Sequence, residues 1–223
     1  MSSAYKVITP VSVEPITLSD AKAYLRVDFT DDDTLIGEII TRARGLAETW
    51  TGRAFATQQI QQIDTIERPE GGELSGSIEP GPNWYQYQEQ LGANPFGAAQ
   101  FYFDLAAPPV QGDETTITVE TKVTAFDPWV TFALILQPNG AYNLYLDTIS
   151  EPARLYFQIP VTANFWRFTY MAGYNTSYPV PPDLLQPIFE LISYFYQYRE
   201  GGSNPEQYKE IQNKLLAKRV DWI

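Results

Sequence analysis

Apolar residues recur at helical spacing at both ends of the chain and at alternating spacing in between. Leu18, Ala21 and Leu25 fall three and four residues apart, the spacing of one helix face. Thr17 and Asp20 just before them form a T-x-x-D variant of the capping box. The threonine accepts from a backbone N–H, and the carboxylate is favoured by the helix dipole. A first helix therefore begins at Thr17. Asp31-Asp32-Asp33 marks a second N-terminus. Leu35, Ile39, Ala43, Leu46 and Trp50 then share one face, widened by Ile36, Ile40 and Ala47, with Arg42, Arg44 and Glu48 on or near the polar side. Gly52 stands where a left-handed glycine closes a helix, so this one ends near Thr51.

From Thr57 the period changes to two. Ile60, Ile63 and Ile66 among Gln, Asp and Thr predict a strand of imperfect alternation. Residues 68–99 are rich in Gly, Pro, Glu, Asn and Gln, with Trp84, Tyr85, Tyr87 and Phe96 interspersed. They read as a long loop, of a length that is uncommon unless it is functional. Aromatics on a polar loop suit contact with a neighbouring molecule, against plain packing on the parent sheet. Further strands are predicted at 100–105, 115–126, 130–137, 142–147, 154–158 and 165–171. Turn residues separate them, and Asn139-Gly140 is the strongest hairpin signal. The block is antiparallel β.

The helical period returns after Pro179–Pro182 with Leu184, Ile188, Leu191, Ile192 and Phe195, and Tyr194, Tyr196 and Tyr198 beside them. Gly201-Gly202 ends that helix, and Pro205 opens a last one carrying Tyr208, Ile211, Leu215 and Leu216. The resulting fold class is α+β. N-terminal helices in 1–56 bundle with C-terminal helices in 179–223, and a large antiparallel β region in 57–178 is inserted between them.

Composition narrows what such a chain does. With 223 residues it can bury a substantial core. It has no Cys and no His, which excludes disulfides, thiolate metal sites, Cys nucleophiles and Ser-His-Asp catalysis. Phosphate-binding glycine loops and H-E-x-x-H are absent from the sequence. A pair of carboxylates would suffice for a hydrolase, but nothing in the spacing of Asp104, Glu114, Glu120 and Asp147 selects one. Asp31–Asp33 lacks the ligand pattern of a calcium loop, so no metal, cofactor or catalytic residue is expected. A carbohydrate-binding or tail-fibre β module, with sugars stacking on the strands at 142–146 and 165–170, is the alternative. It leaves the amphipathic ends without a role. No basic-then-apolar leader and no apolar run of membrane length occur, so the expectation is a soluble protein made in a cytoplasm.

Net charge is −12 and unevenly spread. Residues 64–120 hold ten acidic residues and one basic, whereas 209–223 hold four basic and two acidic. The acidic stretch favours solubility, and it also suits a surface that DNA passes without sticking, because phosphate contacts need cations.

The ordered set of segments resembles the head–tail connector (adaptor) proteins of tailed bacteriophages. Ile16 to Asp28 (ITLSDAKAYLRVD) is similar to the family's opening "T-L-x-x-A-K-x-x-L-R-V", and Trp50-Thr51-Gly52-Arg53-Ala54 to its "x-T-G-R" helix end. Leu105–Gln111 (LAAPPVQ), Glu151–Leu155 (EPARL), Phe168–Tyr174 (FTYMAGY) and Val180–Glu200 follow in the family's order. The resemblance covers most of the chain outside 68–99. It implies a structural virion protein of the neck and no enzyme: a homo-oligomeric ring, commonly of twelve subunits, under the portal protein. The next connector or a tail-completion protein would meet its other face, and genomic DNA would pass through without specific binding or membrane contact. The family's C-terminal segment commonly reaches the portal. Here that segment is Leu215, Lys218, Arg219, Val220, Asp221, Trp222 and Ile223, with Trp222 and Ile223 as apolar anchors and Lys218 and Arg219 as charge partners.

Overall fold

The computed structural model describes residues 2–65, 101–136, 143–157 and 163–221. The loop at 68–99 with Trp84, Tyr85, Tyr87 and Phe96, the Asn139-Gly140 turn, and Trp222 and Ile223 lie outside them. The described residues form an α+β fold with four helices at the chain ends and two antiparallel sheets between.

The helices are α1 (Leu18–Leu25), α2 (Asp33–Thr51), α3 (Pro182–Gln197) and α4 (Pro205–Leu216). Thr17 caps α1 as expected, accepting from the Asp20 N–H at 3.1 Å. The acidic run before α2 works differently from a side-chain cap. Asp32 makes no capping bond and instead accepts from the Tyr196 hydroxyl at 2.6 Å, while Asp33 pairs with Lys22. Both carboxylates thus tie α2 to its neighbours. Gly52 ends α2 at φ 68°, where its N–H bonds the Glu48 carbonyl. Asn204 caps α4 by accepting from Gln207.

All four helices share one core. The buried face of α2 is Ile36, Ile39, Ile40, Ala43, Ala47 and Thr51, centred one position round from the predicted stripe. Leu35, Leu46 and Trp50 sit at its margin. The reason is that α2 packs against α1, α3 and α4, so a broad face is covered and its small residues take the closest approach. On α3, Leu184, Ile188, Leu191 and Ile192 are buried as predicted, and Phe195 lies at the edge under the Arg42 guanidinium, 4.1 Å from the ring centroid.

Strands β1 (Ser2–Thr9), β2 (Gln58–Thr65), β3 (Phe101–Leu105), β4 (Thr118–Lys122), β5 (Val130–Thr131), β6 (Leu144–Asp147), β7 (Ala153–Phe157) and β8 (Phe165–Ala172) make two sheets. Their orders are β1-β2-β8-β4-β5 and β3-β7-β6. The periodicity of residues 1–56 predicts only helices there, yet Ser2–Thr9 is a strand. It pairs antiparallel with β2, Val7 opposite Ile60 and Tyr5 opposite Gln62. The expected strands at 115–126 and 130–137 are shorter than their patterns. A 3-10 turn at Glu114–Thr116 precedes β4, and β5 is only two residues long.

The sheets face each other across an aromatic core. Phe103 and Phe157 from the smaller sheet meet Trp166 and Phe168 of β8 at centroid distances of 4.8 to 6.4 Å. Trp166, Phe168 and Tyr170 are thus core residues, which removes β8 as a sugar-stacking platform. On β2 the imperfect alternation has a cause. Gln58, Gln62 and Asp64 face inward with Ile60, while Ile63 faces out. Gln62 satisfies buried backbone, donating to the Asp104 carbonyl at 2.9 Å and accepting from the Ala106 N–H at 2.8 Å. The Tyr170 hydroxyl lies 3.0 Å from Gln62 Oε1 and 2.9 Å from the Ala106 carbonyl. A buried amide pays its desolvation cost only through such partners.

Candidate functional site at the helix–sheet junction

The helical and β cores meet at residues 53–57. Arg53, Ala54, Phe55 and Ala56 are all buried, with Ala54 in the β core and Phe55 in the helical core. The proline-containing segment 105–111 closes over them: Ala54 N–H bonds the Pro108 carbonyl at 3.0 Å, and Gly173 N–H bonds the Pro109 carbonyl at 2.7 Å. Gln111 donates to the Gly173 carbonyl at 2.6 Å and to Thr57 Oγ1 at 2.9 Å. Gly173 has φ 103°, and a Cβ there would lie 2.0 Å from the Ala56 carbonyl oxygen, so only glycine fits. The T-G-R, L-A-A-P-P-V-Q and Y-M-A-G-Y segments, far apart in sequence, are neighbours here.

The C-terminal segment docks on the same junction. After α4, the Val220 N–H donates to the Thr51 carbonyl at 2.8 Å. Arg53 Nε donates to the Lys218 carbonyl at 3.1 Å, and its two terminal nitrogens donate to the Glu151 carboxylate at 2.8 and 2.7 Å. Those bonds to Glu151 raise the Arg53 pKa despite burial, and the same guanidinium lowers that of Glu151. A cleft of about 480 Å³ lies alongside, walled by Arg53, Glu151, Tyr174, Tyr178, Asp183 and Lys218. Its charges are matched in pairs, with Lys218 on Asp183 at 2.6 Å and Arg219 on Asp221 at 2.8 Å.

The residues singled out for docking fall into three groups. Leu215 is fully buried and belongs to the helical core. Val220 is 7% exposed, seated on the end of α2. Lys218, Arg219 and Asp221 are exposed and are the described residues whose side chains face outward at the segment's end. Arg53 and Glu151 were missed as site residues. The T-G-R motif was visible, but its meaning depends on contacts with residues about a hundred or more positions away.

Three of the four carboxylates considered for hydrolysis have structural partners. Asp104 pairs with Arg154 at 3.1 Å, Glu120 with Arg167, and Asp147 accepts from Ile149 N–H and Ser150. Among the described residues no group of three or more acidic side chains converges.

Residues 15–76 match the model of the phage gp6-like head-tail connector protein family, so the resemblance read from the sequence holds over that stretch. No curated protein matches the chain. The fold is similar over nearly its full length to chains in solved particles. One is the neck of an empty GTA particle computed with C6 symmetry, at 15% identity and TM-score 0.61, covering 99% of this chain and 97% of that one. Another is the virion of a native gene transfer agent (GTA) particle, at 16% identity and TM-score 0.60, covering 98% and 96%. A third is the neck of a native GTA particle computed with C12 symmetry, at 15% identity and TM-score 0.56, covering 99% and 97%. At these identities the likeness is one of fold.

Proposed function

We propose that this protein is a structural adaptor of the neck of a tailed phage or phage-like particle. Copies form a closed ring beneath the portal, and the genome passes through its channel. The observation that carries the reading is that a connector-family match at the N-terminal end coincides with a neck-component fold over 99% of the chain. The net charge of −12 supports it, since an acidic or neutral wall lets DNA slide. A ring requires heterologous interfaces that close by rotation, and we place the aromatics Trp84, Tyr85, Tyr87 and Phe96 among the contacts to neighbouring molecules.

The C-terminal end is the portal-facing anchor in this proposal. Leu215 and Val220 supply its base, and Lys218, Arg219, Asp221, Trp222 and Ile223 reach the partner. Truncation after Val220 keeps every described contact of the base and removes the distal residues. The truncated subunit is expected to fold with unchanged stability yet fail to co-sediment with portal rings, and particles carrying it should not join heads to tails. Normal joining, seen by electron microscopy of lysates, contradicts the anchor.

A further inference from the structure

Two distant parts of the chain, Glu151 and Lys218, converge on the Arg53 guanidinium, and a docking role uses only one of them. We propose that Arg53 is the positioning residue of the C-terminal segment. It latches 218–220 onto the end of α2 in the free subunit, so that the segment is already held in place as far as Val220 before a partner arrives. The purpose of the latch rests on the portal-anchor reading; its geometry does not.

Each residue of the Thr51-Gly52-Arg53 motif makes a different contact with the segment. Thr51 offers its carbonyl, one of the last-turn acceptors that a helix leaves unpaired, and Val220 N–H takes it at 2.8 Å. The Thr51 hydroxyl turns inward to the Ala47 carbonyl at 2.7 Å, leaving the backbone acceptor to the segment. Gly52 removes the atom that would collide with the returning chain, because a Cβ there would lie 2.8 Å from the Val220 carbonyl oxygen. Arg53 reaches the Lys218 carbonyl through Nε.

Glu151 decides where that Nε points. A planar guanidinium held by two parallel bonds to one carboxylate cannot rotate about its axis. With both terminal nitrogens on Glu151, Nε is left in the same plane facing Lys218. Glu151 thus orients Arg53, and Arg53 holds the segment. Lysine at 53 could keep the charge but could not make the three bonds at once. Pre-ordering matters because a disordered peptide loses conformational freedom on binding and a pre-ordered one has already lost it.

The test uses trypsin, since Lys218 and Arg219 are themselves cleavage sites inside the latched stretch. Purified full-length protein is digested briefly, and the peptides released from the C-terminus are followed by mass spectrometry. Wild type should be trimmed slowly after Lys218 and Arg219, Arg53→Lys at least about tenfold faster, and Glu151→Gln at an intermediate rate. Ile211→Val trims the α4 core and leaves the latch intact. If Arg53→Lys is trimmed no faster than wild type, or no faster than Ile211→Val, the latch is overturned. An unchanged rate in Glu151→Gln overturns the orienting role of Glu151. Portal binding is measured on the same proteins. Arg53→Lys should bind portal rings about ten- to a hundredfold more weakly, and full-strength binding by a variant shown to have a released segment overturns the positioning role. Truncation after Val220 is the separate arm: if it binds portal normally, the anchor reading fails while the trypsin result stands by itself.

Discussion

Gly52→Ala perturbs the closest approach between the C-terminal segment and α2, and its cost divides into two parts. Gly52 sits at φ 68°, where an alanine costs about 1 kcal/mol relative to glycine. The second part is steric. The new Cβ would stand 2.8 Å from the Val220 carbonyl oxygen, so Val220 must withdraw. Its 2.8 Å bond to the Thr51 carbonyl weakens with it, at about 1 kcal/mol net. Partial exposure of the Val220 side chain adds about 1 kcal/mol more. The expected total is about 3 kcal/mol, read as a lower urea midpoint with unchanged slope.

Truncation after Arg219 removes Val220 and with it the steric part. In that background Gly52→Ala should cost only about 1 kcal/mol, a coupling of about 2 kcal/mol in the double-mutant cycle. Gly52→Asn provides a check, because asparagine tolerates the left-handed conformation but still carries a Cβ. It should lose most of the steric part alone. Equal costs of Gly52→Ala in the full and truncated chains would refute the reasoning, since the glycine would then serve the turn and not the returning segment.

Two further predictions concern the cores. Leu215→Ala should lose about 2–5 kcal/mol in chemical denaturation, because Leu215 is fully enclosed by the helices; a loss of only a few tenths would mean that α4 does not dock as described. Asp64 is buried on β2, and burial first, then the Asp104 charge, raises its pKa against bonds from Ser3 and Gln62. A raised carboxyl favours the fold below its ordinary range and loses that advantage as pH rises through the raised value. Asp64→Asn should therefore exceed wild type in stability at pH 7, with the gain shrinking towards pH about 4, the ordinary carboxyl range. Urea titrations at the two pH values check this, and a pH-independent difference would contradict it.

Local signals in the sequence carried the helices well. Thr17, Gly52 and Pro205 mark boundaries through chemistry within a few residues, and the structure places helix ends there. β1 was not legible, because Ser2–Thr9 reads as a strand only once β2 lies beside it. Gln62 and Asp64 broke the alternation of β2 for a related reason: the inward Gln62 side chain answers to backbone at 104–106 and to Tyr170, and Asp64 accepts from Gln62, which no local pattern reveals. The junction shows the same limit. Thr51-Gly52-Arg53 was recognisable as a motif, but Arg53 acquires its role from Glu151 and Lys218, at separations of 98 and 165 residues. The exposed end of the C-terminal segment was read from charge and position. Burial of Leu215 and Val220 depends on how α4 returns to α2.

The proposed role puts one adaptor ring of this chain in each particle. Counting its copies in purified particles against the portal protein, by quantitative mass spectrometry, tests that most directly. The account predicts about a dozen copies, equal to the portal ring. Copy numbers in the hundreds, as for a shell or tube subunit, or absence from purified particles would contradict it.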